Sequence, residues 1–145
     1  MDLKIKLLSP DVPVPKYATP GSAAMDLTAH ITEPVTLAPG QRMLLPTGIA
    51  IALPSADYVA LVFARSSMGV KHGINLSNGV GVIDSDYRGE IKVGLTNHSD
   101  APYTIQPGDR VAQLAVMPVA QACVQVVDEL DETDRGTGGF GSTGK

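Results

Sequence analysis

The chain has 145 residues, room for one ordinary domain and too little for a multidomain machine. Its 11 Lys and Arg against 15 Asp and Glu leave a net charge of −4, which opposes wrapping bulk nucleic acid electrostatically; a bound anion would need local basic groups. With 43% hydrophobic and 18% charged residues the chain can form a core, and its single cysteine, Cys123, supplies neither an internal disulfide nor a thiolate zinc cluster.

From the N-terminus, MDLKIKLLSPDVPVP interleaves Asp2, Lys4 and Lys6 with its apolar residues and soon reaches prolines, so it lacks the long apolar region of a secretory signal. Nothing approaches the length of a membrane span. The expectation is a soluble, cytoplasmic protein with no membrane or nucleic-acid partner. Fifteen glycines and eleven prolines punctuate short β-branched stretches at intervals of roughly ten residues, a rhythm of many short strands. The predicted class is all-β. LKIKLL at 3–8, GIAIAL at 48–53 and YVALVF at 58–63 have strand length, and EIKVGLT at 90–96 sends Ile91, Val93 and Leu95 to one face. RVAQLAV at 110–116 and VQVV at 124–127 are further candidates. PGQ at 39–41 and PGD at 107–109 are turn signals. ARSSMGVKHG at 64–73 leaves room for one short helical turn at most. The three histidines, His30, His72 and His98, lie far apart with no ligand spacing.

The densest chemical signal runs from Arg65 to Lys92. Arg65, Ser66 and Ser67, closed by Gly69, offer a cation, two hydroxyls and close backbone approach, which suits an oligophosphate; the bland alternative is a solvated turn. Asn78 and Gly79 form a hairpin dipeptide, and Asp84 follows the apolar run GVI. A carboxylate at the end of a buried strand can orient or deprotonate a water. Asp86 competes for that role, since alternation would place both on one face if the strand continued. In the tail, acidic residues from Asp128 to Asp134 lead into RGTGGFGSTGK, whose five glycines within 136–144 are costly to order. That segment reads either as a floppy terminus or as a flap over a ligand, with Arg135 giving charge, Phe140 a stacking face and backbone N–H groups a phosphate nest. GFGSTGK mimics a P-loop, but that loop requires a following Ser or Thr and a helix facing the phosphates, so the expectation is that it is no Walker-type site.

MDLTA at 25–29, ARSSMG at 64–69, GVIDSDYRG at 81–89, GDRVAQL at 108–114 and RGTGGFGSTG at 135–144 resemble, in order, the five motifs of the trimeric dUTPases. The resemblance spans nearly the whole chain. It implies a jelly-roll-like, distorted β-barrel at 1–134 and a glycine-rich flap at 135–145. It also implies a homotrimer with active sites shared between subunits and Mg²⁺-dependent hydrolysis of dUTP to dUMP and pyrophosphate, which limits uracil incorporation into DNA and supplies dUMP for thymidylate synthesis. On the resemblance, Asp84 is the catalytic carboxylate that aims a water at the α-phosphorus, and Arg65, Ser66 and Ser67 contact phosphate. Asp26 holds the water shell of substrate-bound Mg²⁺; Gln113, with Arg110 beside it, falls near the phosphates. Asn78 and the backbone at Val82 and Ile83 read uracil, Tyr87 packs on the deoxyribose, and Lys92 takes a nucleoside-contacting position of variable side chain. In the tail, Arg135 is assigned to the γ-phosphate, Phe140 to stacking over uracil, and Gly141, Ser142 and Thr143 to phosphate oxygens. The departure is Ser67, where many members carry Gly. Two other readings are a nucleotide-responsive partner-binding module on the same scaffold and a relative of the dCTP deaminases, which share the fold.

Overall fold

Period-2 alternation decides which face of each strand is buried, and the structure, a computed structural model describing residues 1–139, follows it closely. Among the described residues eleven strands form: β1 (Lys4–Leu7), β2 (Met25–Thr28), β3 (Val35–Leu37), β4 (Arg42–Pro46), β5 (Ile49–Ala52), β6 (Tyr58–Phe63), β7 (Ile74–Leu76), β8 (Gly81–Ile83), β9 (Lys92–Asn97), β10 (Tyr103–Ile105) and β11 (Arg110–Pro118). In β2, Met25 and Leu27 are buried while Asp26 and Thr28 on the other face are half-buried. Ile91, Val93 and Leu95 are each 1% exposed, as the alternation of 90–96 requires. Among the described residues the single helical element is a π-helical turn, Ser67–Lys71, within the stretch that left room for one.

All pairings are antiparallel. The largest sheet has the order β2-β11-β6-β8, a second runs β4-β9-β7, and β1-β5 and β10-β3 form two-stranded ribbons. One hydrophobic core, with Leu27, Leu37, Leu45, Ile49, Ile74, Leu95, Ile105 and Leu114 among its buried side chains, fills the space they enclose. Burying a side chain of this size contributes about 1.5–3 kcal/mol. The buried polar Asn97 is fully satisfied: its amide donates to Leu37 O at 2.9 Å and Ala101 O at 2.8 Å, and its Oδ1 accepts from the N–H and hydroxyl of Ser99. It ties the end of β9 to the β3 ribbon.

Two expectations are corrected. Asn78-Gly79 makes a turn, with Gly79 at φ 74° and its N–H donating to Leu76 O at 3.1 Å, but not a hairpin. β7 before it pairs with β9 and β8 after it pairs with β6, so the turn carries the chain from one sheet to another. VQVV at 124–127 is not a strand: Val124 and Val126 are 85% and 95% exposed, with no strand paired to them among the described residues. β-propensity alone does not make a strand without an edge to join. Among the described residues no helix is long and apolar enough to cross a membrane.

Candidate active site

β11, an interior strand of the largest sheet, gathers several of the polar candidates. Gln113 lies opposite Asp26 of β2 on one side and opposite Phe63 of β6 on the other, and Arg65 follows two residues beyond Phe63. A register shift between Arg110 and Ala112, the mark of a β-bulge, re-aims the start of β11. The result is a charge cluster: Arg65 Nε donates to Asp26 Oδ1 at 2.9 Å and Arg110 Nη1 to Asp26 Oδ2 at 3.1 Å. Arg65 Nη1 also reaches Arg110 O at 3.4 Å, and Gln113 Nε2 donates to Ala64 O at 3.0 Å, fixing the backbone just before the arginine.

Asp26, Arg65, Ser66, Arg110 and Gln113 line one polar cavity of about 340 Å³ together with Ala18, Ser22, Ala23 and Ala24. Ser66 precedes the π-helical turn without capping it through its side chain, so its hydroxyl is not consumed by the helix. Ser67 lines a separate polar cavity with Met68, His72, Tyr103 and Asp109, into which Arg65 and Arg110 also reach. There the Tyr103 phenol is pushed above its ordinary value, first by burial and then by the negative charge of Asp109, with Arg65 pulling the other way. The His72 and Tyr103 rings meet at 5.0 Å.

A third cavity, of about 450 Å³, is lined by Leu44, Val82, Ile83, Asp84, Tyr87, Glu90, Ile91 and Lys92. Its size and its mixture of apolar walls with a few polar groups suit a small ligand. β8 ends at Ile83 and a turn follows, with Tyr87 N–H donating to Asp84 O at 3.2 Å. The alternation that would have put Asp84 and Asp86 on one face therefore stops, and of the two only Asp84 lines the cavity. Arg88 folds back on this turn, its Nη1 donating to Ser85 O at 2.7 Å and Tyr87 O at 2.9 Å.

Among the described residues none lines both this cavity and the one around Asp26, and strand register explains why. Ile83 pairs with Ala60, so Asp84 falls level with Val59 near the start of β6, whereas Arg65 lies beyond its end. At about 3.3 Å per residue the two are roughly 20 Å apart along one chain.

Asn78 is exposed and lines neither cavity. Arg135 is exposed and its Nε donates to Gly138 O at 3.0 Å. Phe140, Gly141, Ser142 and Thr143 lie outside the described residues. Sequence reasoning missed Leu44, Glu90 and Ile91 on one cavity and the segment around 22–24 on the other. The small-residue run GSAA at 21–24, which leaves backbone open to close approach, was the available signal for the latter.

The dUTPase family profile matches residues 11–144. A deoxyuridine 5'-triphosphate nucleotidohydrolase of Idiomarina loihiensis is 53% identical over 134 residues, covering 92% of this chain and 89% of its own. That of Paraburkholderia phymatum is 51% identical over 147 residues, covering 100% and 99%. Among solved structures, the Staphylococcus bacteriophage 80alpha dUTPase with dUPNHPP superposes with a TM-score of 0.89 at 26% identity over 99% of both chains. With a matching profile over nearly all its length and relatives at half identity, the chain belongs to the dUTPase family.

Proposed function

We infer that the chain hydrolyses dUTP to dUMP and pyrophosphate in a site that two or more copies complete. The carrying observation is the division of labour between the two cavities. One is of nucleoside size with a carboxylate, Asp84, on its wall; the other gathers Arg65, Arg110, Ser66 and Gln113, donors suited to phosphate oxygens. Since the two lie at opposite ends of β6, a triphosphate bound by one chain's arginines meets the Asp84 of another. This supports an oligomer with shared sites, in the family reading a homotrimer.

In the reaction, Asp84 accepts a hydrogen bond from a water and aims it at the α-phosphorus. As the water oxygen bonds to phosphorus, its proton passes to the carboxylate, the bond from the α-phosphorus to the α,β-bridging oxygen breaks, and that electron pair leaves with pyrophosphate. Arg65 and the Ser66 hydroxyl neutralise charge where it grows on the leaving group. Tyr87 forms the sugar-facing wall, the backbone at Val82 and Ile83 reads the uracil edge, and Lys92 closes the rim. A cytosine presents a donor where uracil has an acceptor, leaving a site group unpaired, which sites of this kind reject by about 10⁴ or more. Asn78, Ser67 and Arg135 complete the proposed set, with Phe140, Gly141, Ser142 and Thr143 in a flap at 135–145 that excludes water on closure.

The residues present fit Mg²⁺ carried on the substrate. Among the described residues no three His, Cys, Asp or Glu side chains gather into a cage. Asp26 spends one acceptor site of each oxygen on the arginines, and a carboxylate has about four, so two remain for metal-bound waters. When bound, Mg²⁺ offsets the negative charge of the phosphates. Product analysis with each nucleoside triphosphate and Mg²⁺ tests the assignment: selective release of dUMP from dUTP is expected, and equal turnover of dCTP or dTTP would reject it.

A further inference from the structure

Gly89 is not among the glycines with positive φ, yet a Cβ at this position would lie 2.3 Å from Tyr87 Oη, 2.5 Å from Cζ and 3.0 Å from Cε2. The tyrosine ring therefore lies directly over residue 89, in space that only a glycine leaves free. Its hydroxyl donates to Glu90 O at 3.1 Å. Residue 90 is in turn fastened to the body of the domain. Glu90 Oε1 accepts the Gly48 N–H at 2.9 Å, and Oε2 lies 3.7 Å from Lys92 Nζ. The next residue, Ile91, is 1% exposed; its N–H donates to Ile49 O at 2.8 Å and its carbonyl accepts the buried Thr47 hydroxyl at 2.5 Å. Tyr87 itself is 44% exposed.

We propose that Gly89 and Glu90 are positioning residues that preset Tyr87 as an unyielding wall of the nucleoside cavity, and that this rigidity sets how strictly the site rejects a ribose 2′-hydroxyl. The proposal rests on the reading of Tyr87 as the sugar-facing wall. Exclusion by shape needs a wall that does not move: a ring free to swing on its χ angles makes room for one extra oxygen, whereas a ring seated on Gly89 and hydrogen-bonded to a carbonyl anchored in the core does not. Glu90 acts through the backbone it orients, since the hydroxyl is bound by its carbonyl and not its carboxylate.

The test is the ratio of kcat/KM for dUTP to that for UTP in the wild-type protein, Gly89→Ala, Glu90→Ala, Glu90→Gln, Tyr87→Phe and Tyr87→Ala. Gly89→Ala and Glu90→Ala are expected to lower the ratio about tenfold or more, mainly through faster UTP turnover. Tyr87→Phe, which keeps the ring and loses its hydrogen bond, lowers it part of the way, and Glu90→Gln, whose amide oxygen still accepts the Gly48 N–H, restores it. A merely structural role slows both substrates alike and leaves the ratio unmoved. An unchanged ratio in Gly89→Ala and Glu90→Ala beside a collapsed one in Tyr87→Ala overturns the positioning role. An unchanged ratio in Tyr87→Ala overturns the wall reading beneath it. Should Gly89→Ala not fold, the Glu90→Ala and Glu90→Gln pair decides.

Discussion

Arg65 and Asp26 form an ion pair in which Nε lies 2.9 Å from Oδ1 and both side chains are less than a quarter exposed, joining the segment after β6 to the strand β2. Arg110, more exposed, shares the other oxygen of the same carboxylate at 3.1 Å. One aspartate thus spaces two guanidinium groups in the polar cavity. Asp26→Asn keeps the shape and removes the charge. The expected cost is about 1–3 kcal/mol of stability, nearly all from the sheltered Arg65 pair, since an exposed pair contributes about 1 kcal/mol or less. With the arginines no longer held apart, kcat/KM for dUTP falls by up to about a hundredfold. Urea unfolding and steady-state kinetics measure both; full activity would show that the carboxylate does not set the arginines.

Asp84 makes no ion pair among the described residues and lies exposed on the cavity wall. Asp84→Asn is therefore expected to leave the melting temperature and nucleotide affinity near wild type while kcat drops by about 10²–10⁴. Calorimetric binding of a nonhydrolysable analogue, beside dUMP release from dUTP, separates the two effects.

Asn97 is 0% exposed and satisfies two carbonyls and two donors. Asn97→Ala takes the amide donor from Leu37 O and the acceptor from the Ser99 N–H, while Ala101 O keeps only the Ser99 hydroxyl at 3.0 Å, and it opens a hole between β9 and β3, at a cost of about 3 kcal/mol or more. Unfolding in urea reads it directly. A cost under about 1 kcal/mol would mean that water replaces the side chain at this junction.

Burial and Asp109 raise the Tyr103 phenol, so the folded chain keeps this proton at pH values where the unfolded chain loses it. The folded state then binds more protons than the unfolded state above the ordinary tyrosine value of 10.0, and stability falls as pH rises through that window. Below it the contribution is fully present. Tyr103→Phe, which has no proton to lose, is expected to show a shallower fall in urea midpoint between about pH 9 and pH 11. An identical slope in both proteins would contradict the assignment.

Much of this fold is written in short-range pattern. YVALVF at 58–63 becomes β6 with the same bounds, and the turns at 39–41 and 107–109 place Gly40 and Gly108 at φ 75° and 81°. β3, β7, β8 and β10, of three residues each, are too short for alternation to register, and their partners lie far away in the chain. The Asn78-Gly79 turn was legible as a turn, but which sheet receives β8 is decided by the free edge of β6. The same holds for the site. Motif order indicated that Asp26, Arg65 and Gln113 matter together, and the β11 register brings them to one cavity. That Asp84 belongs to a different cavity, at the far end of β6, follows only from strand pairing, which no local window of sequence contains. Nor does sequence show that Gly89 owes its place to the tyrosine above it.

The most direct test of a site shared between copies is complementation. Asp84→Asn and Arg65→Ala chains, each inactive alone, are unfolded together at equal amounts, refolded and assayed with dUTP. If a site takes its arginine from one chain and its carboxylate from another, random assembly restores about a quarter of the wild-type sites and hence of the wild-type rate. A refolded mixture that forms mixed oligomers yet stays as inactive as its two components would place both residues in a single chain's site and contradict the account.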